Sequence, residues 1–477
     1  MLGDELRLNS LKPSFGTAGI RGIANSDLTP QLAIQVGLCM AKYLGPGKRV
    51  VVGRDTRVSS DMIAMAVISG LLSGGCNVED VGVVATPALS FAIKMLKADG
   101  GVMVTASHNP PEWNGIKLWN CDGAIFTRAQ DREIEELLHK GGDYYVPWSN
   151  IGGFRRIEGI PDMYVGAILT RIDAETLRSR RYRVVLDCGG GATCFSSPKL
   201  LRELNCELIT LNCEPDGFFR MRKPEPRPEN LSKIMETVKS TSSDLGIAHD
   251  GDGDRTSFID ENGDYVQGDK ILALICLNYL RNKPGSVIVT TVITSSVIFD
   301  VAEKIKAKVV LTPVGESCVV EKMKETGAEI GGEENIGLIV RDWVWSREGL
   351  YAAALVLDIM AREKRPLSQL LSELPNYEQA KLSVKCDSDV YPFIKNDVIK
   401  TVRETLPQDY DNIITIDGIK VYYGRNWILV RPSGTEPLFR VFIEAEDKTT
   451  LEKLKKMALD VTTGAIQELS EKIRGRI

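Results

Sequence analysis

The chain's 477 residues exceed the size at which one hydrophobic core keeps growing, and length alone predicts about three or four domains. Hydrophobic residues make up 43% and charged residues 26%, the balance of a folded globular protein, and no apolar run approaches the roughly 20 residues that span a bilayer. A net charge of -5, from 59 Lys+Arg and 64 Asp+Glu, argues against nucleic acid as a partner, because phosphate-backbone binding needs concentrated basic charge.

The opening MLGDELRLNSLKPSFG lacks the apolar core of a secretory signal, and the expected location is the cytoplasm. Further on, a β-branched run followed by a polar turn and a helix occurs three times. In the first unit Val50 to Val52 predict a strand. Ser60 is the expected N-cap of a helix whose stripe is Ile63, Ala66, Val67 and Leu71, ending at Gly74-Gly75. The second unit is RYRVVLDCGGGATCFSSPKLLRELN, and the third is GSVIVTTVITSSVIFDVAEKIKAKVVLTPVG. Three such units predict three α/β domains of one kind. The tail differs. Ile419 to Tyr423 and Trp427 to Val430 flank a Gly424-Arg425-Asn426 turn, Leu438 to Ala445 predicts another strand, and Thr449 with Glu452 predicts a capping box opening a last helix. The expected domains are 1–155, 156–260 and 261–375, all α/β, and a smaller α+β domain, 376–477.

Four clusters carry chemistry. Gly101 to Val104 predict a short strand leading into Thr105-Ala106-Ser107-His108-Asn109-Pro110, where Pro110-Pro111 prevents a helix or central strand. A hydroxyl on such a loop can accept and return a phosphoryl group if neighbouring charge offsets its weakness as a nucleophile. His108 is read first as a residue that orders the loop. Asp250, Asp252 and Asp254, separated by Gly251 and Gly253, can turn three carboxylates onto one small cation. A calcium loop of the EF-hand type would place glycine at its sixth position, where this chain has Arg255, so magnesium is the expected ion. The ten cysteines form no CxxC pair, and with three histidines a zinc site is not expected. Glu333, Glu334 and Asn335 lie on a glycine-rich turn suited to sugar hydroxyls. Arg431-Pro432-Ser433-Gly434-Thr435 offers an anion cradle between two strands.

One cluster falls in each expected domain, and together they fit phosphoryl transfer, which depends on positioning and charge neutralisation. A metal-dependent phosphatase would leave Ser107 and the Arg431 loop without a shared purpose, and a nonenzymatic phosphosugar-binding protein would leave Ser107 unphosphorylated.

Thr-Ala-Ser-His-Asn-Pro at 105–110 and Asp-Gly-Asp-Gly-Asp-Arg at 250–255, with Phe15-Gly16-Thr17-Ala18-Gly19-Ile20-Arg21-Gly22 before them, resemble the alpha-D-phosphohexomutase superfamily over almost the whole chain. The resemblance implies three α/β domains and a TBP-like fourth around a central cleft. It implies an enzyme that moves phosphate between C1 and C6 of a hexose through phosphorylated Ser107, with a hexose 1,6-bisphosphate as intermediate and activator. By the same resemblance, Asp250, Asp252, Asp254 and the Ser107 phosphate hold Mg2+. Lys117, Arg21, His108 and Arg255 adjoin the reacting groups. Glu333 and Asn335 bind the sugar, while Arg431, Ser433, Gly434 and Thr435 bind the phosphate that is not transferred.

The chain departs from the family pattern where a histidine usually closes the sugar loop, since Gly337 stands there, with Asn335 in the serine position; Glu316 replaces another histidine found in some members. Lys117 is therefore the candidate acid/base, with Glu316 second. The Glu-Glu-Asn loop is similar to that of archaeal members. Glucose and mannose phosphates are the favoured substrates, glucosamine phosphate the alternative. A phosphosugar is the only expected partner, with no membrane role, and monomer and homo-oligomer remain equally open.

Overall fold

Each β-branched run marked by the sequence becomes an inner strand of a sheet. The computed structural model describes Gly16, residues 19–434 and residues 436–474. Phe15, Thr17, Ala18 and Thr435, named above, lie outside the described residues.

The first three of its four sheets share one plan. In the first, Arg49–Arg54 pairs in parallel with Asn77–Val83 on one side and Gly100–Val104 on the other, and Gly100–Val104 pairs antiparallel with Trp113–Asn120. In the second, Arg183–Asp187 takes Glu207–Leu211 and Leu245–His249 in parallel, and Leu245–His249 then pairs antiparallel with Thr256–Ile259. In the third, Val287–Thr291 lies between Lys308–Thr312 and Ile330–Gly332, the latter antiparallel to Ile339–Val340. The polar loops at 105–112, 250–255 and 333–338 therefore occupy one topological place. Each leaves the carboxyl end of a parallel strand where the chain reverses, the end at which open α/β sheets bind ligands.

Local sequence sets the helices between these strands. Thr29 caps Pro30–Leu44 by accepting from the Leu32 N–H at 3.3 Å. The helix Ser60–Ser73 differs from expectation at its start, because its N-cap is Ser59. Ser60 lies inside the first turn and spends its hydroxyl on Asp55 Oδ1, 2.6 Å away. A charged partner in the core outbids the local cap.

The fourth sheet is antiparallel, in the order Glu378–Lys385, Leu438–Ala445, Asn426–Pro432, Ile419–Tyr423, Asn412–Ile414. Its hairpin is tighter than expected, since Tyr423 pairs with Asn426 and only Gly424 and Arg425 make the turn. Helices Tyr391–Thr405 and Lys448–Arg474 cover the sheet. Asp447 caps the second of these by accepting from the Thr450 N–H at 2.9 Å, displacing the cap expected at Thr449.

One continuous hydrophobic core runs through the first three sheets, including Val51, Leu89, Leu186, Phe258, Leu272 and Leu357. The fourth domain keeps its own core around Ile394, Ile428, Phe439 and Val441. A small patch joins them, Val292 and Ile293 against Trp427, Leu429 and Phe442. Among the described residues no helix is long and apolar enough to cross a membrane.

Candidate functional site

Gly100–Val104 is buried throughout and delivers Ser107 to the interior, fully buried, with φ of 53°. A serine in the left-handed region is strained and must be held by its surroundings. Its N–H donates to Thr105 Oγ1 at 2.8 Å, and that hydroxyl donates to Asp55 Oδ2 at 2.7 Å. Arg57 supplies the other brace. Its guanidinium donates to the backbone oxygens of Ser107 (2.8 Å), Asn109 (2.7 Å), Pro110 (2.6 Å) and Trp113 (3.0 Å), while Nε meets Asp55 at 3.0 Å. Arg21, on the strand Ile20–Ile23, donates to Asn109 Oδ1 at 2.7 Å. Sequence reasoning passed over Asp55 and Arg57; the available signal was an Asp-Thr-Arg turn directly after the strand that carries Val50 to Val52.

The seryl hydroxyl points at the metal loop, with Oγ 2.9 Å from Asp250 Oδ2 and 3.2 Å from His108 Nδ1. Arg255 first, then burial and Arg21, hold the His108 pKa well below its ordinary value, so the ring is neutral. Gly251 and Gly253 make this closeness possible. A Cβ at Gly251 would lie 2.6 Å from Ser107 O, and Gly253 has φ of +73° with Thr193 Cγ2 at 2.3 Å from the Cβ position.

The three aspartates are divided atom by atom. Asp250 Oδ1 accepts from the N–H groups of Gly253 (2.9 Å) and Arg255 (3.2 Å). Asp252 Oδ2 accepts from Lys117 Nζ at 2.8 Å and Thr86 Oγ1 at 2.7 Å. Asp254 Oδ2 takes Arg347 at 2.5 Å, and Lys117 lies 3.8 Å from the same oxygen. Asp252 Oδ1 and Asp254 Oδ1 are buried without a hydrogen-bond partner. One oxygen from each aspartate lies within 4.8 Å of the others. Burial, then Asp252 and Asp254, push the Asp250 carboxyl well up; burial also pushes Asp252 up, but Lys117, Thr86 and Arg347 outweigh it and hold that group below the usual carboxylate range. Orphaned carboxylate oxygens with no soft donor among them fit a hard divalent cation. Arg255 stands at the edge, 3.5 Å from Glu225 and 4.0 Å from Asp254 Oδ1.

The third loop reaches the same centre through Arg347, which bonds Glu333 Oε2 at 2.9 Å; Glu333 Oε1 takes the Gly315 N–H at 3.1 Å. Asn335 Oδ1 is buried with no partner, an acceptor left over for a ligand. Glu316 accepts from Ser346 Oγ (3.1 Å) and the Arg347 N–H (3.0 Å), and burial above all raises its pKa. The fourth loop joins through Asp417, whose Oδ2 lies 2.9 Å from Arg431 and accepts from the Val314 N–H at 3.1 Å. Ser433 Oγ accepts from the Glu436 N–H at 3.2 Å, and Gly434 is exposed. Ser107, His108, Lys117 and the aspartates thus form one cluster, Glu333 attaches through Arg347, and Arg431 attaches through Asp417.

The four domains match four family models in order: phosphoglucomutase/phosphomannomutase alpha/beta/alpha domain I over residues 12–145, domain II over 162–263, domain III over 267–377, and the C-terminal domain over 382–461. A protein named probable phosphoglucosamine mutase from Methanopyrus kandleri is 42% identical over 458 residues, 96% of this chain and 99% of the relative. A protein named phosphoglucomutase/phosphomannomutase from Thermococcus kodakarensis is 41% identical over 457 residues, 95% and 99% of the two chains. Among solved structures, a phosphoglucomutase/phosphomannomutase family protein from Burkholderia thailandensis superposes with a TM-score of 0.85 at 28% identity, covering 95% of this chain and 98% of its own. The shared sheet plan, the divided carboxylates and matches over nearly every residue lead to one assignment: this chain belongs to the alpha-D-phosphohexomutase superfamily, the isomerases that act on hexose or aminohexose phosphates.

Proposed function

We propose that this enzyme interconverts glucosamine 6-phosphate and glucosamine 1-phosphate by way of phosphate carried on Ser107. The observation behind the mechanism is the 2.9 Å contact between Ser107 Oγ and a buried carboxylate whose neighbours keep two oxygens unpartnered. Phosphorylated Ser107 gives its phosphoryl group to the free hydroxyl of the sugar monophosphate. The P–Oγ bond breaks, a new P–O bond forms on the sugar, and a 1,6-bisphosphate results. The bisphosphate turns end for end, and its other phosphate returns to Ser107. Mg2+ held by Asp250, Asp252 and Asp254 would neutralise charge on the transferring group. Lys117, 2.8 Å from Asp252, is the candidate to move the proton between sugar hydroxyl and seryl oxygen. Arg21 and Arg255 face the transferring phosphate, and neutral His108 orients Ser107. Glu333 and Asn335 take the sugar. Arg431, Ser433, Gly434 and Thr435 hold the phosphate at rest, exchanging Asp417 for ligand oxygens.

The amino sugar is supported by the name of the Methanopyrus relative, shared by relatives from Pyrococcus horikoshii and Methanosarcina barkeri, each 41% identical. It is supported also by the unpartnered Asn335 Oδ1, an acceptor suited to an ammonium at C2. A second reading, glucose and mannose phosphates, rests on the name of the Thermococcus relative. The 1-phosphates of glucosamine, glucose, mannose and N-acetylglucosamine, ranked by kcat/KM with Mg2+ present and after chelation, decide between them. Glucosamine 1-phosphate should lead by at least about 10-fold. A lead for glucose or mannose replaces this reading with the second, and full activity after exhaustive chelation removes the metal from the mechanism.

A further inference from the structure

Arg347 lies outside every sequence motif, between the strand Ile339–Val340 and the helix Gly349–Glu363, and is 5% exposed. Its guanidinium meets carboxylates from two loops and the start of a helix: Asp254 Oδ2 at 2.5 Å, Glu333 Oε2 at 2.9 Å and, at the head of Glu316–Thr326, Glu316 Oε2 at 3.5 Å. The backbone that carries it is fixed on both sides. Ser346 is bonded to Glu316, and Glu348 accepts from Tyr164 Oη at 2.5 Å and Trp343 Nε1 at 2.6 Å. Gly349 sits against the metal loop so closely that a Cβ there would lie 2.6 Å from Gly253 O. The side chain also needs a glycine opposite, since a Cβ at Gly337 would lie 2.6 Å from Arg347 Cδ and 3.2 Å from Cγ.

Resting on the mutase reading above, we propose that Arg347 is a positioning residue that couples sugar recognition to cation binding. Its two Nη atoms each hold one oxygen of a different carboxylate. On Asp254 this leaves Oδ1 as the oxygen for the cation. On Glu333, already tied to the Gly315 N–H, it fixes the face presented to the sugar. A planar fork with several donors can serve two divergent partners at once, and a lysine ammonium on a flexible stem serves them poorly. The sugar loop and the metal loop are then set by a single rigid cation, so a shift of either carboxylate disturbs the other.

Two variants that keep a positive charge test this. Arg347→Lys retains the charge and loses the fork; Gly337→Ala retains the guanidinium and displaces its stem. Mg2+ affinity and glucosamine 1-phosphate affinity are measured by isothermal titration calorimetry on each full-length protein, with thermal unfolding to establish folding. Both affinities should fall together, about 10-fold or more in Arg347→Lys and by a smaller factor in Gly337→Ala. Unchanged affinities in a folded variant, or loss of one affinity alone, overturn the coupling role. If Arg347→Lys does not fold, Gly337→Ala decides the matter. Labelled phosphate from glucose 1,6-bisphosphate should appear at Ser107 of the unaltered enzyme. Its absence overturns the mutase reading, whereas a labelled enzyme whose variants keep both affinities overturns only the role given to Arg347.

Discussion

The first three sheets and the fourth are held in different ways. Around Ser107 and the aspartates, side chains from three domains are buried over one shared core, and Ser107, Lys117 and Arg347 are held by hydrogen bonds that cross from one domain to another. The Arg431 loop sits on a domain with its own core, joined to the third sheet by a small apolar patch and a few polar links such as Asp417 to the Val314 N–H. The difference suits the proposed task. Transfer needs atoms fixed to fractions of an ångström, whereas a loop proposed to clamp phosphate at either end of a sugar needs a looser mount.

The contrast breaks most directly at its rigid end. Ser107→Ala removes the oxygen proposed to carry phosphate, and isomerisation measured in a coupled assay should drop by on the order of 1,000-fold or more while the protein stays folded. Near-normal turnover would end the account. Arg57→Ala strips four backbone oxygens, that of Ser107 among them, and Asp55 of their shared donor while leaving the Ser107 hydroxyl in place. A buried ion pair broken in this way costs about 3 kcal/mol or more, and the strained φ at Ser107 should relax. The expected result is a kcat roughly 10- to 100-fold lower and a lower Tm. An unchanged kcat would mean that the loop holds its shape without this brace.

How much of this was legible in sequence follows the same division. Ser107, Asp250, Asp252 and Asp254 were visible because each cluster is contiguous and its chemistry is implied by its own spacing. Asp55, Thr86 and Arg347 were not, because each earns its role from a partner far along the chain: Asp55 reaches Thr105, Thr86 reaches Asp252, and Arg347 reaches Asp254. The repeat of strand, turn and helix was readable as a pattern. That the three candidate loops share one topological position was not, since it depends on strand pairing across the sheets. Ser60 departs from the expected cap because its hydroxyl bonds Asp55 in the core, whereas Thr449 departs from it for a local reason: Asp447, a better N-cap than threonine, directly precedes the last helix.

At the looser end the effects should be smaller and of another kind. Arg431→Lys keeps the charge and loses the planar fork, so KM for the sugar phosphate should rise about 10-fold with kcat within about 3-fold. A collapse of kcat instead would place the clamp among the groups that act in transfer and erase the contrast.

The mount itself can be probed at Lys420, fully buried where the fourth sheet meets the third. Its Nζ donates to Val292 O at 2.7 Å and lies 3.6 Å from the centre of the Trp427 ring, with Tyr422 also near. Burial pushes its pKa down to about 7, with Glu444 and Asp269 opposing. The unfolded chain, with an ordinary lysine pKa, then binds more protons than the folded one between about pH 7 and 10.5, and stability should rise with pH across that window. Below it both states are protonated and the full cost of burying the charge is felt. Lys420→Met should therefore raise Tm at pH 6.5 by roughly 5 °C and by progressively less as the pH passes 8 and 9, leaving Ser107 phosphorylation unchanged. Scanning calorimetry at four pH values reads this directly. A pH-independent shift would mean that Lys420 stays charged on its aromatic neighbours, and that the junction is held by a cation–π contact.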